Sequence, residues 1–404
     1  MPTLVQIAVE GNAGSTGTIA EAIGQIVIQN GWKSYIAHGR FPRPSKSELL
    51  RIGSDFEVML HGLETRLFDR HGLGSIHATK KLIQELERIK PDVIHLHHLH
   101  GYYINIEILF TFLKNSKIPV VWTFHDCWSI TGHCCHFDHI GCQKWKSLCM
   151  QCPQIQEYPA SLFVDRSKKN FILKKRIFNS LSNLTIVSVS NWLDGVVKES
   201  FLSSVSRKVI YNGVDTKRFN PYSDNPFLRK RYPSINDKII LLGVSGVWND
   251  KKGFNDFLTL SNQLYNDEVI ILVGLSKSQI NGLPDNILGI EKTENQDELK
   301  DLYVSANVFL NLSVEETFGL TTAEALACGT PAIVYDSTAC PEIIDKQTGV
   351  VVPKRNFLKL REAIDTVIAE GKSSYAENCR NRAVNLFEKS DRYSEYVDLY
   401  KSLL

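Results

Sequence analysis

Long apolar runs are missing from this 404-residue chain: none approaches the roughly 18–20 residues that a membrane-spanning helix requires. An excess of either charge is missing too, with 46 Lys and Arg against 44 Asp and Glu. That balance excludes a protein built mainly to wrap nucleic acid, so no nucleic-acid partner is expected. The opening MPTLVQIAVEGNAGSTG has no charged n-region and no cleavage site. It reads as a strand entering a glycine loop rather than as a signal peptide, which makes the cytoplasm the expected location. No GK[ST] follows that loop, so P-loop ATPase chemistry is disfavoured. Disorder, collagen and a coiled-coil rod are excluded by an ordinary composition, 43% hydrophobic and 22% charged.

The length predicts two or three domains at roughly 150 residues each. In the first half, LVQIAV (4–9), SYIAHG (34–39), DVIHLHH (92–98), PVVWTFHD (119–126) and LTIVSVS (184–190) read as strands. Helical stretches separate them; ATKKLIQELERIK (78–90), for example, stops at Pro91. Such alternation implies right-handed βαβ units and a parallel sheet. The pattern restarts with KIILLGVSG (238–246) and continues through EVIILVGL, NILGIEK, NVFLNLS and PAIVYD. The expected fold class is α/β, with two doubly wound Rossmann-like domains facing across a cleft. Residues 1–212 form the first, with a Cys-rich insertion at 131–154, and residues 213–385 the second. A final helix, 386–404, crosses back to the first. The polar stretch 212–234 carries three prolines and reads as the linker.

Ligands of open parallel sheets lie beyond the carboxyl ends of the strands, so the loops that follow strands carry the chemistry. In EGNAGSTGTIAEAIG (10–24), Gly14 and Gly17 let the backbone approach a ligand, and the next helix turns N–H groups toward an anion. In SVEETFGLTTAEALACGTPAIVYD (313–336), Glu316 and Glu324 are separated by seven residues, with a turn at Phe318 and Gly319 before a helix stopped by Gly329 and Pro331. A pyrophosphate is favoured at that helix start, and a neighbouring carboxylate can accept hydroxyl hydrogen bonds. A competing reading makes Glu324 the third helical residue of a capping box beginning at Thr321. His125 ends a strand where a cleft is expected, although packing against Asp126 is the plainer account. His98, His100 and Tyr103 crowd the loop HLHHLHGYY and are candidates for acceptor contact.

The run E-T-F-G-L-T-T-A-E-A-L-A-C-G-T-P resembles the Glu-(seven residues)-Glu signature of family-4 retaining glycosyltransferases of the GT-B fold. In particular it is similar to a bacterial exopolysaccharide or colanic-acid subset. By that resemblance, Glu316 faces the transferred sugar, Thr317, Phe318, Gly319 and Leu320 present the donor-binding backbone, and Glu324 holds the ribose. Lys252, in the loop GVSGVWNDKKGFNDF (243–257), neutralises the leaving diphosphate, and His125 lies near the sugar. Val247 stands where the family carries an arginine. The implied reaction moves a sugar from a nucleotide-diphosphate donor to a hydroxyl of a glycan or lipid-linked acceptor, with retention of configuration and no cofactor for catalysis. No DxD pair is placed to hold a catalytic metal. The alternatives are a GT-B sugar-nucleotide epimerase or phosphorylase, and a non-enzymatic sugar-nucleotide sensor.

Two further features stand apart from that signature. Cys134, Cys142, Cys149 and Cys152 fall in one short stretch with a C-x-x-C pair, which reads as a structural zinc site ahead of reduced thiols or a disulfide. DRSKKNFILKKRIFNSL (165–181) interleaves six basic residues with apolar ones. It reads either as an ordinary surface helix or as a peripheral contact with the inner face of an anionic membrane.

Overall fold

The computed structural model describes residues 1–222 and 227–404. The expected linker 212–234 lies partly outside the described residues. The chain divides into two compact units, Met1–Ile210 with Tyr393–Leu404, and Tyr211–Arg392.

The first unit is built on seven parallel strands: β1 (Thr3–Glu10), β2 (Lys33–Arg40), β3 (Glu48–Arg51), β4 (Val93–Leu96), β5 (Val120–Phe124), β6 (Leu184–Ser188) and β7 (Ser206–Val209). They lie in the order β3-β2-β1-β4-β5-β6-β7. β1, β4, β5 and β6 are buried on both faces, which is why they read as unbroken apolar runs. β3 and β7 lie at the sheet edges and are four residues each, largely polar or half-exposed; that weak pattern hid them from the periodicity.

The second unit has β8 (Ile239–Val244), β9 (Glu268–Val273), β10 (Ile287–Ile290), β11 (Val308–Asn311), β12 (Ala332–Tyr335) and β13 (Gly349–Val352), ordered β10-β9-β8-β11-β12-β13. Both sheets reverse direction of growth once, between β1 and β4 and between β8 and β11. At those two points the loops leaving adjacent strands diverge and open a crevice.

The tail differs from a single helix. It breaks at Glu388 between helices Lys372–Phe387 and Lys389–Leu403. Phe387 packs on Tyr211 and Glu388 bridges to Val214, which ties residues up to Arg392 to the second unit. Beyond that point Tyr393, Tyr396, Val397 and Tyr400 join Leu4, Ile23, Val27, Trp32 and Val121 in the core of the first unit. Two hydroxyls direct the docking. Tyr400 lies 2.6 Å from His95 Nδ1, and Tyr396 lies 3.1 Å from Thr123 Oγ1.

Candidate active site

In the second unit the loops after β8 and β11 meet. A short turn, Asp250–Lys252, is capped by the Asn249 side chain, which accepts from Lys252 N–H at 3.1 Å. Gly253 follows at φ +77°, where a Cβ would stand 2.4 Å from the Leu312 carbonyl oxygen, so only glycine allows the loops to close. The Val314 N–H completes the junction by donating to the Lys251 carbonyl at 2.9 Å. This packing brings Lys252 Nζ to 2.5 Å from Glu316 Oε2. Burial pulls the lysine down, but the Glu316 carboxylate outweighs it and lifts Lys252 above its ordinary range, so the ammonium stays charged. Glu316 is held in place by its own N–H, which donates to Thr338 Oγ1 at 2.8 Å.

Gly319, at φ +103°, is the N-cap of helix Leu320–Ala327, and no side chain caps that helix. Its first N–H groups therefore remain available to an anion. Phe318 turns inward against Phe387, leaving the turn to act through its backbone, while Thr317 is half-buried. The capping-box reading of Glu324 is overturned: the helix starts at Leu320, not after Thr321, and Glu324 Oε2 accepts from the Tyr303 hydroxyl at 2.8 Å. Burial raises Glu324 to about 7, only partly opposed by that hydroxyl. Val247 is 68% exposed, and the loop offers no cation at that place.

In the first unit, helix Gly14–Gln29 packs so tightly on the end of β1 that a Cβ on Gly17 would stand 2.8 Å from the Glu10 carbonyl oxygen. At Gly14, φ +60°, a Cβ would stand 2.1 Å from the Glu10 carboxylate. Both glycines thus have a packing reason to be there. The helix has no side-chain cap, and its Thr16 Oγ1 lies 3.2 Å from His98 Nδ1, linking the loops after β1 and β4.

The histidines form a connected set at the carboxyl ends of β4 and β5. His125 Nε2 lies 3.1 Å from His97 Nδ1, and His97 Nε2 lies 3.1 Å from Gln6 Oε1. His100 Nε2 is 2.6 Å from Asp126 Oδ2, and His98 Nε2 is 3.4 Å from the same oxygen. The donor atoms of His98, His100 and Asp126 all lie within 4.8 Å of one another. Burial pushes His97 and His125 well below the ordinary imidazole range and His98 down to about 4, with neighbouring histidines adding to the effect. Burial also pushes Asp126 up, but His100 and His98 outweigh it and hold the carboxylate far below its usual range. Asp126 is therefore ionised. Its partner on this face is His100 rather than His125.

Tyr103 is buried, and its hydroxyl donates to the His98 carbonyl at 2.6 Å, so it shapes the loop. Tyr158 had no sequence signal. Its hydroxyl lies 3.2 Å from His100 Nδ1, brought there from 58 residues away. Tyr303 and Thr338 were likewise invisible, because their roles arise from packing between distant loops.

Two family models match the chain, Glycosyltransferase Family 4 over residues 27–218 and Glycosyl transferases group 1 over residues 224–385. One relative is Escherichia coli (strain K12) WcaC, named for glycosyl transfer in colanic acid biosynthesis. It is 25% identical over 384 residues, 92% of this chain and 90% of that protein. Another is the alpha-monoglucosyldiacylglycerol synthase of Acholeplasma laidlawii, 23% identical over 78% of this chain and 80% of that protein. Among solved structures, sucrose-phosphate synthase from Thermosynechococcus elongatus superposes with a TM-score of 0.70 at 18% identity, covering 100% of this chain and 99% of that one. Anabaena HepE in complex with UDP also gives 0.70, at 14% identity and full coverage of both chains. Two doubly wound units of this kind, matched end to end, make the GT-B fold, and the chain belongs to the family-4, group-1 glycosyltransferases.

Proposed function

We propose that the protein is a retaining glycosyltransferase of cell-surface polysaccharide assembly. It transfers a sugar from a nucleotide-diphosphate donor to a hydroxyl of a glycan or lipid-linked acceptor. The observation that carries this is the pairing of Lys252 with Glu316 beside the uncapped start of helix Leu320–Ala327. A departing diphosphate spreads two negative charges as the glycosidic bond breaks. Lys252 and the helix N–H groups answer that charge without needing a metal. In this reading Glu316 accepts from the sugar's hydroxyls, and Glu324, with Tyr303 behind it, from the ribose. Among the described residues no carboxylate is set up as a covalent nucleophile, which favours attack on the face the phosphate leaves. The relatives support the reading: WcaC is named for colanic acid biosynthesis, and HepE has been crystallised with UDP and with UDP-glucose. His98 and His100, gathered around ionised Asp126, suit recognition of an acceptor hydroxyl.

The test is a panel of UDP-, GDP- and ADP-sugars. Purified protein is expected to release nucleoside diphosphate slowly from one of them, and faster with a lipid-extract acceptor. Binding without turnover under both conditions would instead indicate a sensor.

A membrane-facing acceptor side is part of this reading. Helix Ser167–Phe178 buries Phe171, Ile177 and Phe178 but leaves Lys168, Lys169, Lys175 and Arg176 exposed. Leu162, Phe163 and Val164 precede it and are exposed, and the Leu162 N–H donates to the Arg66 carbonyl at the end of helix Asp55–Phe68. That helix exposes Phe56, Met59, Leu60 and Leu63 at helical spacing. Apolar side chains beside lysines are the chemistry of an anionic bilayer surface. No helix among the described residues is long and apolar enough to cross a membrane. Co-sedimentation with anionic but not neutral vesicles, lost in a Phe163→Ser, Leu63→Ser double variant, checks the contact.

A further inference from the structure

Residues 131–166 contain little regular structure beyond two single-turn 3-10 helices, yet they bury Phe137 and Trp145 in a stack with centroids 4.8 Å apart. An irregular segment of this length inside a compact unit needs something to hold it. Inside it, Cys134, Cys142, Cys149 and Cys152 line one small cavity of about 10 Å³. Two of the four already touch, the Cys134 and Cys152 thiols sharing a hydrogen bond. Backbone N–H groups aim at the pair on the C-x-x-C turn, Gly132 at the Cys149 sulfur and Gln154 at the Cys152 sulfur.

A second, independent observation comes from the charges around the cavity. Lys174 is 2% exposed, and its ammonium donates to the carbonyls of Trp128 and Thr131 at 2.7 and 3.1 Å. Burial pulls Lys174 down to about 7, and only nearby anions oppose that pull, so a thiolate beside it would help the ammonium keep its charge. The acidic groups around it are Cys134, Cys135, Cys149 and Asp69. Asp69 is already engaged, with His133 Nδ1 at 2.7 Å and the Arg166 N–H at 2.8 Å. His133, whose side chain is fully buried, lines the same cavity.

We propose that Cys134, Cys142, Cys149 and Cys152 bind one Zn²⁺ as thiolates, a structural site that fastens the segment after β5 onto helix Ser167–Phe178. Zinc prefers four ligands at tetrahedral angles with Zn–S of about 2.3 Å. Four thiolates and one divalent ion leave two negative charges, and Lys174 is the basic side chain beside Cys149 and Cys134. Binding replaces each S–H bond by a Zn–S bond and releases the thiol protons to solvent. Among the described residues, no three of these sulfurs stand within 4.8 Å of one another as the His98, His100 and Asp126 donors do, so closure on the ion takes side-chain rotations within the cavity. Cys135 is turned away, toward Asp126 and Cys127, and is not a ligand.

The test uses the full chain, expressed with zinc in the medium and purified under reductant without chelator. Elemental analysis is expected to find about one zinc per chain. Cys149→Ser and Cys152→Ser should lose it, and Cys379→Ser, in the second unit, should keep it. If the first two variants fail to fold, wild-type protein exchanged into Co²⁺ should show thiolate-to-metal charge-transfer and tetrahedral ligand-field absorption. Wild-type zinc below about a tenth of an equivalent without Co²⁺ bands, zinc retained in both serine variants, or a Cys149–Cys152 disulfide in the native mass spectrum would each overturn the proposal. None of these readouts depends on transferase activity.

Discussion

Acid should weaken the first unit before it touches the second. His61, His71, His95, His97, His98 and His125 are all held neutral there, chiefly by burial, and His61 and His98 are each lowered to about 4. In the unfolded chain they return to roughly 6.5. Above that value neither state carries the proton and the groups do not affect stability. As the pH falls below it, the unfolded chain takes protons that the folded unit refuses, and stability drains away until the folded values are reached. For a folded value of about 4, moving from pH 7.5 to pH 5 costs about 2 kcal/mol per histidine, so His61 and His98 together cost about 4 kcal/mol. That is a large share of a typical domain's 5–15 kcal/mol or so. His133 works in the opposite direction: Asp69 outweighs burial and raises it, so its contribution is present in acid and fades as the pH rises through its folded value. It offsets part of the loss. The assay is urea unfolding followed by tryptophan fluorescence, since five of the six tryptophans (Trp32, Trp122, Trp128, Trp145, Trp192) lie in the first unit. A pH-dependent loss below about 1 kcal/mol between pH 7.5 and 5 would mean that these rings are not held neutral, and the account of the histidine set would fail.

Further outcomes follow from the same geometry. Lys252→Ala and Glu316→Ala should each lose about 2–3 kcal/mol of transition-state stabilisation, about 30- to 160-fold in kcat/KM, and near-normal kcat in both would be fatal to the site assignment. Gly253→Ala should destabilise the second unit by at least ~1–3 kcal/mol, because the new Cβ meets the Leu312 carbonyl in a left-handed backbone; an unchanged melting temperature would argue against the loop junction. Tyr400→Phe strands the buried Nδ1 of His95 and should cost the first unit about 1–3 kcal/mol in the same urea assay, with the final helix loosening in hydrogen exchange.

Much of this was legible before any coordinates. The buried central strands announced themselves as apolar runs, and the family resemblance singled out Lys252, Glu316 and Glu324, which the fold gathers on loops leaving the neighbouring strands β8 and β11. Edge strands β3 and β7 escaped, since half-exposed four-residue strands carry almost no periodic signal. The capping-box pattern at Thr321 misled for a related reason: a local motif cannot reveal that Gly319 caps the helix two residues before Thr321 and that a distant Tyr303 claims the Glu324 carboxylate.

Chain order alone determined the two doubly wound units and the glycosyltransferase signature, for these rest on local periodicity and on residues close together in sequence. Only the tertiary structure decided the partnerships: Lys252 with Glu316 across 64 residues, His100 with Asp126 and Tyr158, and His95 with Tyr400 across 305 residues. The cause is physical. Which polar groups share a buried space is set by the packing of whole elements, and burial then fixes which of them keep a charge.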